Sequence, residues 1–273
     1  MGKILILGGS GLVGRALINE FKNGYEVYGT YSSKFITSLP VDRQFQLDVQ
    51  DIRKMNEIIS AIQPDNVISC IRGEFDQQLK FHKELAEVLG NMSSNLYFFS
   101  TTNIFDGDFS KLHAETDIPI AESDYGNFKI NCENILKDIL DDRLKIIRIP
   151  AIWGKDSPRW NSMKESIKNN NQIDVYSNLK CNNLSDVLLA VQLRFIIENK
   201  LKGIFHLGSV DTIIQSQFYE ELLNGMGAEM NLLKNNTYLD SSNTYYFALK
   251  STRDDIPDFL RTTNREIISY LVE

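Results

Sequence analysis

A phenol and an ammonium stand four residues apart in Tyr125-Gly-Asn-Phe-Lys129, the spacing that puts two side chains on one helix face. A cation beside a phenol favours the phenolate, so the spacing predicts a Tyr125 that titrates nearer neutral pH than an isolated tyrosine. Such a group can give a proton to, or take one from, the oxygen of a carbon that is exchanging hydride. A solvated pair on a helix surface is the plain alternative. The place of the pair in the chain favours chemistry, because its helix follows an apolar run ending Phe98-Phe-Ser-Thr-Thr102. Thr101 then offers a hydroxyl at the C-terminal end of a strand, where open α/β sheets hold ligands.

A second constellation opens the chain. Gly8-Gly-Ser10-Gly11-Leu12-Val13-Gly14 follows the apolar run Ile4-Leu-Ile-Leu7 directly and leads into helical spacing. Gly9, Gly11 and Gly14 fit GxGxxG, and Gly8, Gly11 and Gly14 fit GxxGxxG. Glycines there allow a tight turn and let a pyrophosphate approach the backbone, while the helix N-terminus presents free N–H groups. A P-loop is disfavoured, because Arg15-Ala16 follows where Lys-Ser/Thr is required. Dinucleotide binders that prefer NAD carry a carboxylate near the end of the second strand. Here that strand ends Gly29-Thr-Tyr31-Ser32-Ser33-Lys34, with Glu26 too early and Asp42 too late. NADP(H) is the preferred expectation, with NAD(H) possible.

These groups need a frame. Short apolar runs alternate with amphipathic ones through residue 150: strands at 4–7, 25–30, 45–47, 66–70, 96–100 and 144–149, helices at 12–22, 52–62, 75–89 and 125–140. Strands separated by helices imply βαβ units and a parallel, doubly wound sheet. Helices at 157–171 and 186–198 and a strand at 203–207 follow, then short helices and Asn/Ser-rich turns. The expected class is α/β, a Rossmann-like doubly wound parallel sheet with a small C-terminal substrate lobe. Residues 1–155 would form the dinucleotide-binding domain, with 181–208 returning to it, and 156–180 and 209–273 the lobe.

Length and composition agree. The 273 residues are 42% hydrophobic and 24% charged, enough for a real core. A net charge of −7 argues against general nucleic-acid or anionic-membrane binding. Cys70, Cys132 and Cys181 form no CxxC and read as reduced thiols, and His82, His113 and His206 show no metal-site spacing. No leader and no apolar stretch of roughly 20 residues is visible, so the expectation is a cytoplasmic protein and the Asn183-Leu-Ser185 sequon a chance match.

Taken together the motifs resemble the extended short-chain dehydrogenases/reductases, closest to the dTDP-4-dehydrorhamnose reductase-like branch. The matching segments run in family order over about the first 210 residues. They are Ile6 to Gly14, Leu47-Asp-Val49, Pro64 to Ser69, Ser100-Thr-Thr-Asn-Ile-Phe-Asp-Gly107, Tyr125 to Lys129, Ile147-Arg-Ile-Pro-Ala-Ile-Trp-Gly154 and Gly203 to Gly208. The resemblance implies an NAD(P)-dependent reductase of a keto group on a nucleotide-activated sugar, with a possible homodimer. On this chain Thr101 would hold the substrate oxygen, Tyr125 would be the acid/base, and Lys129 would lower the tyrosine pKa and bind the nicotinamide ribose. Asp48 and Val49 would sit by the adenine, Ser69, Cys70 and Ile71 would line the cofactor, and Pro150 and Ile152 would flank the nicotinamide.

There are departures. Thr102 and Asn103 stand where the branch has Asp-Tyr, and Ser69-Cys-Ile-Arg72 replaces Asn-Cys-Ala-Ala. Dehydratases usually carry Asp-Glu where Thr102-Asn103 stands, which disfavours that reaction. An epimerase of the same superfamily, and a non-catalytic NADP-binding partner protein like the regulatory β subunit of methionine adenosyltransferase, remain as alternatives. Arg72, Arg159 and Lys164 are candidate partners for a substrate diphosphate, with surface charge as the bland reading. Trp153 and Trp160 are candidates for stacking, with core packing the better reading for Trp153. Asp106 and Asp108 read as a solvated acidic turn, and His206 as structural.

Overall fold

The computed structural model describes residues 2–273. In chain order its first half holds β1 (Lys3–Leu7), α1 (Leu12–Phe21), β2 (Glu26–Tyr31), β3 (Gln44–Gln46), α2 (Ile52–Ile62), β4 (Asn66–Ser69), α3 (Phe75–Gly90), β5 (Asn95–Thr101), α4 (Asp124–Leu140) and β6 (Leu144–Ile149). The second half holds β7 (Ala151–Trp153), α5 (Pro158–Lys168), β8 (Ile173–Tyr176), β9 (Leu179–Cys181), β10 (Asn183–Ser185), α6 (Asp186–Glu198) and β11 (Gly203–His206). It closes with β12 (Ile213–Ile214), α7 (Gln215–Gly225), β13 (Leu233–Asn236), β14 (Tyr245–Phe247) and α8 (Asn264–Val272).

The central sheet has seven strands in the order β11-β6-β5-β4-β1-β2-β3, every pairing parallel. Parallel strands between two helix layers are buried on both faces, which is why β1 reads as a continuous apolar run. Its alternate residues serve the two layers. Ile4 and Ile6 join the core under α1 and α6, whereas Leu5 and Leu7 join the core under α2, α3 and α4. The parallel, doubly wound α/β class expected from the alternation of elements is therefore the observed one.

A further core is built by Trp153, Trp160, Met163, Phe218, Leu222, Ile267 and Leu271. Its small sheets pair distant pieces: β7 with β10, β9 between β12 and β14, and β8 with β13. None of these strands was expected from the sequence. β13 is Leu-Lys-Asn-Asn, with one apolar residue and no period-2 pattern, and its partner lies about sixty residues away. α5 ends at Lys168, short of the expected 171, because Asn170 turns to φ +55. Ile256 and Leu260, from the C-terminal stretch, pack into the core under α1 and α6.

Candidate active site

The glycine turn is shaped by different demands at each position. Gly8 takes φ +81, and a Cβ on it would lie 2.9 Å from the Cys70 carbonyl oxygen. A Cβ on Gly14 would stand 2.4 Å from the Gly8 carbonyl, so α1 can pack this closely on β1 only with glycine there. Gly11 differs: the sole atom within 4 Å of its would-be Cβ is the Gly8 oxygen, at 3.4 Å. The protein itself would tolerate a side chain at Gly11. The first turn of α1 has no side-chain cap and no acidic residue, which leaves the N–H groups around Leu12 and Val13 facing open space. Open space over Gly11 and an uncapped, positive helix end fit a pyrophosphate. Ser10 contributes its carbonyl, which accepts from Arg15 Nη1 at 2.9 Å.

Next to this turn lie the ends of β2 and β3. Tyr31 is buried, while Ser32, Ser33 and Lys34 are exposed with no carboxylate among them. Gln46 Nε2 donates to the Ser32 carbonyl at 2.9 Å and the Leu47 N–H to the Tyr31 carbonyl at 2.8 Å, drawing the two loops together. Asp48 is exposed and accepts the Gln50 N–H at 2.9 Å, and Val49 approaches Gly73. At the end of β4, Ser69 is buried and its Oγ lies 2.8 Å from His82 Nε2. The other ring nitrogen lies 2.7 Å from the Gln78 carbonyl oxygen, which can only accept. Burial drives the imidazole down to about 3, so it is neutral. Nδ1 therefore carries the hydrogen, and Ser69 donates to Nε2. Cys70 and Ile71 follow, half-buried; burial pushes the Cys70 thiol up to about 12, which makes it unreactive.

Thr101 closes β5. Its hydroxyl donates to Asn103 Oδ1 at 3.0 Å and accepts the Asn103 N–H at 3.3 Å. Asn103 therefore orients Thr101. α4 reaches this strand end through Gly126, whose would-be Cβ lies 2.4 Å from the Asn103 carbonyl oxygen. The glycine inside the Tyr125-Gly-Asn-Phe-Lys129 motif is what lets the helix start approach. Ser123 caps α4 by accepting the Gly126 N–H at 3.0 Å. Asp106 in turn accepts the N–H groups of Glu122 (2.7 Å) and Ser123 (3.1 Å) and the Ser123 hydroxyl. The acidic turn expected to be solvated loop is thus, at Asp106, the anchor of the start of α4; nothing local in the sequence shows a partner sixteen residues on.

The electrostatics of the pair correct the expectation. Tyr125 is 37% exposed, with its ring 5.8 Å from that of Phe75. Burial of the phenol raises its pKa above the ordinary value; the Thr101 hydroxyl and then the Arg72 guanidinium pull the other way. Lys129 does not supply that pull. It is buried, donates from Nζ to the Phe99 carbonyl at 2.9 Å, and lies 4.5 Å over the Phe98 ring. Burial brings its ammonium down to about 8. A buried ammonium takes the carbonyl and the ring face as its nearest partners, so helical spacing alone does not place it against the phenol. One turn further, Glu133 pairs with Arg148 at 2.6 Å, both buried, and Arg148 Nη1 lies 3.3 Å from His206 Nε2.

Beyond β6 opens a cleft of about 100 Å³ beside the further core. Of the residues singled out from the sequence, Thr102, Pro150, Trp153 and Arg159 line it, joined by Asn182, Gln215 and Tyr219. Trp153 is buried, donates from Nε1 to Asn183 Oδ1 at 2.8 Å, and carries the Arg159 guanidinium 5.4 Å over its ring. Trp160 is buried in the same core, and Ile152 beside Pro150 is half-buried. Arg72 and Asn103 are not in the lining. Asn182, Gln215 and Tyr219 escaped sequence reasoning because nothing local marks them. Among the described residues no group of three or more His, Cys, Asp or Glu could hold a metal, and no helix is long and apolar enough to cross a membrane.

Comparison with known proteins gives a consistent result. Residues 2–244 match the family model described as RmlD substrate binding domain. The chain is 21% identical over 257 residues to the probable low-salt glycan biosynthesis reductase Agl14 of Haloferax volcanii, covering 86% of this chain and 84% of that protein. It is 27% identical over 168 residues to methionine adenosyltransferase 2 subunit beta of Bos taurus, a match spanning 56% of this chain and 48% of that protein. A dTDP-4-dehydrorhamnose reductase from Clostridium acetobutylicum superposes with a TM-score of 0.81 at 22% identity, covering 98% of each chain. The dTDP-4-dehydrorhamnose reductase from Bacillus anthracis, solved in complex with NADP, gives 0.81 at 19% identity over 99% of each chain. At these identities the superpositions carry the fold, and the family match carries the descent. The chain belongs to the RmlD substrate binding domain family.

Proposed function

We propose that this protein is an NADP(H)-preferring reductase of a keto group on a nucleotide-activated sugar. The observation that carries the reading is one juxtaposition at the C-terminal edge of the parallel sheet. An uncapped glycine turn, the Thr101 hydroxyl and the Tyr125 phenol share that edge, with a cleft beside them. A bound nicotinamide dinucleotide would supply the hydride. Gly8 to Gly14 would hold its pyrophosphate, Ser32, Ser33 and Lys34 the ribose 2′-phosphate, and Ser69 to Ile71 with Pro150 and Ile152 the nicotinamide half.

The rest of the chemistry belongs to side chains. Tyr125, whose raised pKa keeps it protonated at neutral pH, delivers its phenolic proton to the oxygen that becomes the alcohol. Thr101 turns its hydroxyl from Asn103 to that oxygen and holds it. The Arg72 guanidinium, which pulls the phenol pKa down, eases the phenolate left behind, and Lys129 reaches the ribose on exchanging its bond to Phe99. Arg159 over Trp153 faces the cleft where a substrate diphosphate would lie. Residues 1–155 with 181–208 make the dinucleotide domain in this reading, and 156–180 with 209–273 the substrate lobe. The net charge of −7 argues against a nucleic-acid partner.

Titration with NADPH and NADH, read by energy transfer from the tryptophans, tests the cofactor half. Saturable binding with NADPH preferred is expected, and no binding of either to the folded, nucleotide-free chain overturns the proposal. Turnover of keto-sugar nucleotides, dependent on Tyr125, tests the rest. A dinucleotide retained through purification with no net NAD(P)H consumption would mark an epimerase instead.

A further inference from the structure

Phe35 lies just past the end of β2 and leaves 65% of its surface in water. Exposure alone marks no site, since Phe259 is exposed to 79%; the setting of Phe35 distinguishes it. Its loop is firmly built. The Gln44 side chain accepts the Ile36 N–H at 2.8 Å and donates to the carbonyls of Ile36 (3.1 Å) and Leu39 (2.9 Å). Ile36 is buried under the glycine turn, its Cδ1 2.8 Å from the would-be Cβ of Gly9 and 2.6 Å from that of Gly29. The residue after Phe35 is therefore fixed to the floor of the turn, and Phe35 itself points away from the core. Its ring rests on that of buried Tyr31, centroids 4.7 Å apart and planes 38° apart. Tyr31 is tied in turn to the start of the β3 loop by the Leu47 bond to its carbonyl.

The sheet order continues β1-β2-β3 outward from the turn. A dinucleotide with its pyrophosphate on α1 runs its adenosine half across the ends of β2 and β3, where the Tyr31/Phe35 pair stands. We infer that Phe35, backed by Tyr31, is the stacking platform for the purine of the dinucleotide. This rests on the dinucleotide reading above and adds to it a division of labour. The aromatic pair holds the base, which is common to NADP and NAD, while Ser32, Ser33 and Lys34 sense the 2′ position.

Calorimetric titration of the folded chain with 2′,5′-ADP, NADPH and NADH tests the inference without any turnover. Phe35→Ala is expected to weaken all three by a common factor of about tenfold, the scale of one base–aromatic stack. Phe35→Trp, which keeps a π face, is expected to retain native affinity. Native binding of 2′,5′-ADP by Phe35→Ala, to within about twofold, overturns the platform and leaves the cofactor reading standing. So does a loss confined to NADPH and 2′,5′-ADP, which would assign Phe35 to the 2′ position. If the unsubstituted chain binds none of the three, the dinucleotide reading itself falls and this inference with it.

Discussion

The two edges of the candidate site were built in opposite ways. The phosphate-facing part of the proposed dinucleotide edge is assembled by one short stretch, β1, the glycine turn and α1, within residues 3–21. The substrate edge draws Thr102, Pro150, Trp153, Asn182, Gln215 and Phe247 from six separate elements or loops across nearly 150 residues. The first is set by local sterics; the second exists only when the further core, around Trp153 and Phe218, is packed.

Tyr125→Phe should give the largest effect, because it removes the phenol proposed as the proton donor. We expect kcat to fall by about 10²–10⁴-fold with NADPH affinity unchanged. Normal turnover in steady-state assays would remove Tyr125 from the chemistry.

Two glycine substitutions split the dinucleotide edge into fold and ligand. Gly14→Val forces atoms into the Gly8 backbone, 2.4 Å from its Cβ, and should cost about 1–3 kcal/mol or more in a denaturant titration. Gly11→Val meets little protein, so Tm should hold while dinucleotide affinity drops by at least about tenfold, about 1.4 kcal/mol. Equal loss of Tm in both would mean that Gly11 too is there for the fold.

Lys129→Met sets activity against stability. The folded pKa of about 8 lies below the ordinary lysine value of 10.5, so the fold penalises the charged form. That penalty is present in full below about pH 8, shrinks as pH rises towards 10.5, and is absent above it. Native kcat/KM should therefore fall as pH rises through about 8. Lys129→Met should lower kcat by about 10²-fold while matching or exceeding the native Tm at pH 7, an advantage that disappears by pH 10.5. A drop in Tm at pH 7 would show that the bond to Phe99 outweighs the buried charge.

Asp106→Ala should have the smallest effect and probes the tertiary side. It frees Ser123 and the start of α4, at about 0.5–2 kcal/mol of helix anchoring, and should lower kcat by a few fold to about tenfold with cofactor affinity intact. Asp106→Asn, which retains the accepting oxygen, should recover most of that loss.

The sequence legibility follows the same division. The strands of the central sheet and the helices between them were readable because each carries its own period, and β1 to β6 fall within a residue or so of the expected spans. The hydrogen bond between Ser69 and His82 was not readable, since a buried neutral histidine looks like any other until its strand and helix meet. Nor was the turning of Lys129 to the Phe99 carbonyl, which depends on how deeply α4 settles on β5.

What the amino-acid order determined by itself is the alternation of elements, the glycine turn with its open helix end, and the presence of a phenol, an ammonium and a hydroxyl in the right succession. These are consequences of backbone sterics and of side-chain period, both of which act over a few residues. Tertiary structure alone decided which cation lies near Tyr125, which acid anchors its helix, and which side chains line the cleft. Those outcomes depend on burial and on partners sixteen or more residues away, and the desolvation that shifts Tyr125 and Lys129 does not exist until α4 has packed onto β5 and α3.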